Sequence, residues 1–174
     1  MSTLIVALPR TGSTELGKRL SLQHKLEYIF EPFNPPSNNI NINHLTKSVV
    51  KTIIFQKPDF VDERFRLNWL LDLISKFDNV ILLSRKDLMA CADSWAYLCY
   101  KSKKSNFSSV SSYLWELTPN HQIAVDNIQI WNNELKYISD KVNIPITYYE
   151  DIYDLNDKDK LRKGDRNNYE NKLI

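Results

Sequence analysis

The sequence predicts an α/β protein of three layers, in which a central parallel sheet carries helices on both faces. Short apolar segments alternate along the chain with longer segments of helical period, which is the order typical of this class. The segment Val80–Leu83 is apolar at every position, as expected of a central strand covered on both sides. The 174 residues, 43% of them hydrophobic, suffice for one core, so we predict a single domain spanning 1–174.

The elements follow from the hydrophobic pattern. Strands are predicted at Thr3–Leu8, Glu27–Phe30, Ser48–Phe55, Asn79–Ser84 and Pro145–Tyr149. Helices are predicted at Ser13–His24, Glu63–Phe77, Leu88–Tyr100 and His121–Lys141. Long loops are predicted at Glu31–His44 and Lys101–Ser112, and a charged tail at Asp154–Ile174.

Bulk properties exclude several classes of protein. A net charge of +2 gives no reason to expect a nucleic-acid partner, and no apolar run reaches membrane length. The N-terminal apolar run is too short for a signal peptide, so we expect a soluble, cytoplasmic protein without a membrane partner. Cys91 and Cys99 lie two turns apart on one predicted helix, too far to bridge each other, which suits a reducing compartment. The oligomeric state stays open.

The segment Leu4–Leu20, LIVALPRTGSTELGKRL, predicts a phosphate-type anion site. A strand that feeds a short loop aims the free N–H groups of the next helix, and its positive dipole end, at one point. Gly12 permits the turn, and Arg10 adds a fixed positive charge. The loop also supplies three hydroxyl groups, from Thr11, Ser13 and Thr14. In the alternative interpretation, Ser13 or Thr14 merely caps the helix.

The same segment nearly matches the phosphate loop of ATP- and GTP-binding proteins. Gly12, Gly17 and Lys18 occupy the glycine and lysine positions of G-x-x-x-x-G-K-[ST]. The next residue is Arg19, which lacks the hydroxyl that such loops place on magnesium. We therefore expect an anion site that requires no metal, and keep a metal-dependent kinase as an alternative.

A second anion site is predicted in Val80–Tyr97, VILLSRKDLMACADSWAY. Arg85 follows the buried strand directly, at the sheet edge where ligands of such folds collect. Ser94 lies on the helix that follows, so Arg85 and Ser94 can hold one phosphate from two sides. In the alternative interpretation, Arg85 forms an ordinary surface ion pair with Asp87 or Asp93.

Together, the two motifs resemble those of sulfotransferases that use 3′-phosphoadenosine-5′-phosphosulfate (PAPS). Arg10 to Thr14 resemble the family's element for the 5′-phosphosulfate, while Arg85 and Ser94 resemble its element for the 3′-phosphate. Tyr149-Glu150-Asp151 is similar to a motif that ends a late strand there, and Arg162-Lys163-Gly164 is similar to a nucleotide-closing segment. The spacing from Arg85 to Ser94 is closer to the bacterial than to the cytosolic steroid and phenol type. The resemblance covers most of the chain and implies a P-loop-like sulfotransferase fold.

The resemblance also implies roles for these residues. Thr11, Gly12, Ser13 and Thr14 would hold the 5′-phosphosulfate, Arg10 would neutralise the leaving phosphate, and Arg85 and Ser94 would hold the 3′-phosphate. PAPS would be the donor and adenosine 3′,5′-bisphosphate (PAP) the product, with no metal required. The acceptor would be a hydroxyl or amine of a glycan or small molecule. A catalytically degenerate nucleotide-binding module is a further alternative, because the chain is short for this family.

Glu31 is the candidate catalytic base. It ends the second predicted strand, at the rim shared with the first loop, and its Glu-Pro-Phe context resembles that of a catalytic glutamate in bacterial and glycan sulfotransferases. From spacing alone, a solvated loop carboxylate is an equal alternative. His44 is the alternative base, because the cytosolic branch of the family uses a histidine.

Overall fold

The computed structural model describes residues 2–34, 41–104 and 120–153. The strands are β1 (Thr3–Ala7), β2 (Tyr28–Phe30), β3 (Val49–Ile53), β4 (Asn79–Ser84) and β5 (Ile146–Tyr148). The helices are α1 (Ser13–His24), α2 (Ile42–Leu45), α3 (Arg66–Ile74), α4 (Leu88–Lys104), α5 (His121–Val142) and α6 (Tyr149–Ile152). A 3₁₀ turn at Glu63–Phe65 leads into α3.

The strands form one five-stranded sheet in the order β2-β3-β1-β4-β5, and all neighbours are parallel. The strand β1 is central, with Ala7 opposite Ile53 of β3 on one side and Leu83 of β4 on the other. Every residue of β1 is buried, because helices cover both faces of the sheet.

The helices divide between the two faces. α1 packs on β1, β2 and β3, whereas α5 packs on β4 and β5 and against α3 and α4. In the sheet, the connection from β1 to β2 leads toward the edge formed by β2. The connections from β3 to β4 and from β4 to β5 lead toward the opposite edge, formed by β5. Since parallel crossovers are right-handed, α1 lies on one face and the later helices on the other. The prediction of an α/β fold with a central parallel sheet is confirmed.

The boundaries of several elements differ from the predicted ones. The strand predicted at Ser48–Phe55 ends at Ile53, because Gln56 folds back and its side chain accepts the N–H of Ile53. The predicted Glu63–Phe77 helix is divided, since Asp62 accepts the N–H of Arg64 and opens a 3₁₀ turn first.

Two predicted loops also contain helix. The loop expected from Lys101 is wrong at its start, because α4 holds no glycine or proline and continues to Lys104. The loop expected at Glu31–His44 ends in α2, whose first turn is capped by Asn41. Residues 35–40 and 105–119 and the predicted tail at 154–174, including Arg162-Lys163-Gly164, lie outside the described residues.

The core contains the two cysteines and an aromatic cluster. Cys91 and Cys99 are both buried, and neither forms a disulfide bond. Trp95 and Trp131 pack with Phe55 on the face that carries α4 and α5. Within the described ranges, no helix is both long enough and apolar enough to cross a bilayer.

The strand order creates a crevice between the carboxyl ends of β1 and β4. The connection after β1 passes to one face of the sheet and the connection after β4 to the other, so the two loops diverge. Ligands of open parallel sheets bind at such a reversal point. The loop after β1 contains Arg10 and Gly12, and the turn after β4 contains Arg85, so both predicted anion sites border this crevice.

Candidate anion-binding site

The loop after β1 has an unusual backbone. Leu8 continues the ladder by donating its N–H to the carbonyl of Leu83, and the hydroxyl of Thr11 then donates to the carbonyl of Leu8. Between and after them, Arg10 and Gly12 adopt left-handed conformations, with φ of 63° and 71°. The hydroxyl of Thr11 is therefore used to fold the loop.

The amino end of α1 has no side-chain cap. Its N-cap residue is Gly12, and the first intrahelical bond runs from the N–H of Leu16 to the carbonyl of Gly12. Ser13 and Thr14 lie inside the first turn, so the alternative in which either one is the N-cap residue is wrong. The N–H groups of the first turn have no intrahelical acceptor, and they carry the positive end of the helix dipole.

Gly12 is required by space as well as by its backbone conformation. A Cβ at this position would lie 2.7 Å from the ring of Tyr149, inside the contact distance of real side chains. Tyr149 packs against Tyr153 with ring centroids 4.7 Å apart, and the Tyr153 hydroxyl donates to the carbonyl of Gly12 at 3.0 Å. The two tyrosines of the α6 turn thus cover one side of the loop and fix it.

The register of an ATP- or GTP-type phosphate loop is not adopted. The helix begins at Ser13, so Gly17 and Lys18 lie in its second turn. Gly17 faces the ring of Tyr28, which would be 2.3 Å from an added Cβ, while Lys18 is exposed. The close contact between Gly17 and Tyr28 lets α1 approach β2.

Arg10 joins the first motif to the second. Its Nε donates to the hydroxyl of Ser94 on α4 at 2.9 Å, across a separation of 84 residues. Arg10 and Arg85 also act on one buried thiol: burial raises the pKa of Cys91 to about 12, and the positive charges of both arginines oppose that rise. The loop after β1 and the segment that contains Arg85 and Ser94 therefore lie close together.

Arg85 is a buried cation with spare hydrogen-bonding capacity. Its side chain is 6% exposed, and its Nε lies buried without a hydrogen bond. Within the described part of the chain, its Nη1 has one acceptor, the carbonyl of Ala90 at 3.5 Å. Glu150 Oε1 is near at 3.4 Å, but outside hydrogen-bond geometry. A buried guanidinium normally uses more of its five donors. The spare donors are suited to an anion that enters the crevice.

The alternative surface pairing of Arg85 is not the one observed. Asp87 accepts the N–H of Ala90 at the start of α4, and Asp93 contacts His121. The carboxylate beside Arg85 is Glu150, which the sequence analysis named only as part of a motif. The negative partner is supplied by α6, not by the segment that carries Arg85.

Glu31 lies where the second strand ends, as predicted. Its N–H donates to the carbonyl of Lys51 on β3, and its φ of 45° is left-handed. One carboxylate oxygen accepts from Lys51 Nζ, and the other accepts from Gln56 Nε2 at 2.8 Å. The side chain is 16% exposed, so the alternative of a fully solvated carboxylate does not describe it.

Lys51 is a buried cation that pairs with Glu31. Burial lowers its pKa, the charge of Glu31 raises it, and the charge of Arg10 lowers it again. The Phe30 ring covers the ammonium group at 4.6 Å, and Phe30 itself is exposed at the rim.

The two candidate catalytic residues, Arg10 and Glu31, both have a left-handed backbone conformation. Among the described residues, four other than glycine have positive φ: Arg10, Lys25, Glu31 and Asn143. Lys25 and Asn143 end helices, where this conformation is common. Arg10 and Glu31 have no such role. Strain of this kind clusters at functional sites, because the surrounding structure must hold it.

The structure separates the histidine candidate from this region. His44 lies in α2, before β3 begins, so it is at the amino end of the sheet, and its ring contacts Glu27. The crevice lies at the carboxyl end. Glu31 is therefore the candidate base that the fold brings to the loop after β1.

Sequence reasoning missed three polar residues of the site. The sequence analysis did not select Lys51, Gln56 or Glu150 as individual site residues. An ionisable residue inside an apolar strand, as in Val49-Val50-Lys51, was the available signal for Lys51. No comparable local signal exists for Gln56 or Glu150.

The fold and the site define an α/β protein with two cationic loops that meet at the carboxyl edge of its sheet. No protein-family model matches the chain, and no curated protein sequence matches it significantly. The functional conclusion therefore depends on the motifs and on the geometry of the crevice.

Proposed function

We propose that this protein is a sulfotransferase with a P-loop-like sulfotransferase fold, which transfers a sulfuryl group from PAPS to a hydroxyl or amine. The observation that carries the proposal is the 2.9 Å hydrogen bond from Arg10 to Ser94, because it brings together the two motifs that we predict to bind anions. A nucleotide with phosphates at both ends of one ribose needs two cationic sites that face each other.

Two features favour the donor nucleotide. The uncapped amino end of α1, with Ser13 and Thr14, would hold the 5′-phosphosulfate through N–H groups and hydroxyls. The Nη donors of Arg85, together with the Ser94 hydroxyl, would hold the 3′-phosphate. When the nucleotide binds, Arg10 would give up its hydrogen bond to Ser94 and contact the 5′-phosphate instead.

The transfer step balances without a further reactant. The acceptor oxygen or nitrogen attacks the sulfur of PAPS, and the bond from sulfur to the bridging oxygen breaks. Its electron pair stays on the 5′-phosphate of the departing PAP. Glu31 takes the acceptor proton, while Arg10 and the N–H groups of α1 stabilise the negative charge that develops on the phosphate.

Lys51 and Gln56 would orient the base. The amide of Gln56 is itself fixed, because its oxygen accepts the N–H of Ile53 at 2.9 Å and the hydroxyl of Thr52 at 3.2 Å. Its NH₂ group must therefore face Glu31. With one donor on each oxygen, the carboxylate keeps free lone pairs for the acceptor proton.

Calorimetric titration tests the proposed donor site. Wild-type protein should bind PAP with and without EDTA, and should bind 5′-AMP at least tenfold more weakly, about the contribution expected of one charged phosphate contact. Binding of ATP that requires magnesium, with no binding of PAP, would instead support the kinase alternative.

A transfer assay separates an enzyme from a binding module. With sulfur-labelled PAPS, the proposal predicts label in a glycan or small-molecule acceptor and formation of PAP. Tight PAP binding without transfer to any acceptor would support the degenerate module. We place the activity in the cytoplasm, because Cys91 and Cys99 are not joined in a disulfide, which suits a reducing compartment.

A further inference from the structure

Glu150 is the one carboxylate that the described structure records beside the buried guanidinium of Arg85. Its Oε2 accepts the backbone N–H of Lys86 at 2.9 Å, and its Oε1 lies 3.4 Å from Arg85 Nε. Because Lys86 directly follows Arg85, the Glu150 side chain is bound to the β4–α4 turn and also lies beside the Arg85 guanidinium. The Lys86 ammonium in turn pairs with Asp151, which ties the α6 turn to the β4–α4 turn at one further point.

The Glu150 carboxylate is held in its charged form. Burial opposes its charge, but hydrogen bonds from the N–H groups of Lys86, Glu150 and Asp87, and the charge of Arg85, together keep its pKa below the usual range. Charge and position are therefore both fixed by neighbouring backbone. Tyr149 completes the support, with the Arg85 guanidinium carbon 5.4 Å from its ring centre.

We propose that Glu150 is a positioning residue that makes the second anion site selective for a nucleotide with a 3′-phosphate. This inference rests on the proposed function. Glu150 and Tyr149 restrain the Nε edge and one face of the Arg85 guanidinium, which leaves the Nη edge for the phosphate. A guanidinium fixed in this way loses little side-chain freedom when it binds, and its planar pair of donors matches a phosphate.

If Glu150 acted only by repelling the phosphate, its removal would change PAP affinity in the opposite direction. A carboxylate close to a phosphate destabilises the bound anion, so its removal would then tighten PAP binding. In the positioning role, removal frees Arg85 and weakens binding. The sign of the change in PAP affinity therefore distinguishes the two roles.

The test compares Glu150→Ala and Glu150→Gln with wild type by calorimetry, using PAP and 5′-AMP as probes. Both variants should bind PAP about tenfold more weakly, which corresponds to one charge-assisted contact, while 5′-AMP affinity stays unchanged. In an Arg85→Ala background, Glu150→Ala should cause no further loss. Asp151→Ala, in the same turn but at an exposed ion pair, is the matched control and should bind PAP like wild type.

Each other outcome overturns the inference. Tighter or unchanged PAP binding by both Glu150 variants contradicts positioning, and so does an equal further loss in the Arg85→Ala background, which indicates general loosening of the turn. If wild type and Arg85→Ala behave as proposed and only the Glu150 variants do not, the inference fails and the proposed function stands. If wild type binds no PAP, both fail.

Discussion

Replacing Glu31 with glutamine is expected to lower the rate of sulfuryl transfer by about 10² to 10⁴, the range typical for loss of a general base. The amide cannot take the acceptor proton. Lys51 and Gln56 each donate a hydrogen bond to one carboxylate oxygen of Glu31. In the glutamine variant an NH₂ group replaces one of these oxygens, so two donors face each other there and that hydrogen bond is lost. Single-turnover assays with labelled PAPS measure the effect on the chemical step.

Binding provides the control for that experiment. Glu31→Gln should bind PAP with wild-type affinity, since Glu31 is proposed to act on the acceptor. Glu27→Gln is the matched variant, because Glu27 is an exposed carboxylate that contacts His44 at the other end of the sheet, and it should retain full activity. Turnover of Glu31→Gln within about threefold of wild type, far below the effect expected of a lost base, would exclude Glu31 as the base.

Replacing Arg85 with alanine is expected to weaken PAP binding by about 100-fold, the upper range for a charge-assisted contact. Two effects add: the phosphate loses its guanidinium, and Glu150 is left largely buried beside the anion without its cation. Affinity for 5′-AMP, which has no 3′-phosphate, should be nearly unchanged. Calorimetry with both nucleotides measures the difference.

Two variants keep this result interpretable. Arg64→Ala removes an exposed arginine that pairs only locally with Asp62, and should bind PAP like wild type. Arg85→Lys keeps the charge but not the planar pair of donors, so its affinity should fall between those of Arg85→Ala and wild type. An equal loss of PAP and 5′-AMP affinity in Arg85→Ala would contradict a specific 3′-phosphate contact and indicate a misfolded variant.

The fold could be predicted because the hydrophobic pattern of the sequence agrees with the way its strands and helices are buried. Asn79–Ser84 and Ser13–His24 were predicted with their observed bounds, since each begins and ends at a sharp change in hydrophobic pattern. The boundaries that were wrong depend on tertiary contacts. β3 ends where the Gln56 side chain turns back onto Ile53, and no local rule anticipates that contact.

The sequence predicted candidate residues within single segments of the site, but not the contacts between segments that are distant in the chain. Arg10 and Arg85 were found because each directly follows an apolar strand, and their mutual approach follows from β1 and β4 being neighbours. The partners of Glu31 depend on β3 lying beside β2, a pairing that the sequence does not specify. Glu150 is 65 residues from Arg85, and only the addition of β5 to the sheet edge brings them together.

A crystal structure of the complex with PAP tests the central claim most directly. We expect one nucleotide across the crevice, with its 5′-phosphate at the N–H groups of Ser13 and Thr14 and its 3′-phosphate against Arg85 and Ser94. A nucleotide whose phosphates both lie at one loop, or whose 3′-phosphate points away from Arg85, would contradict it.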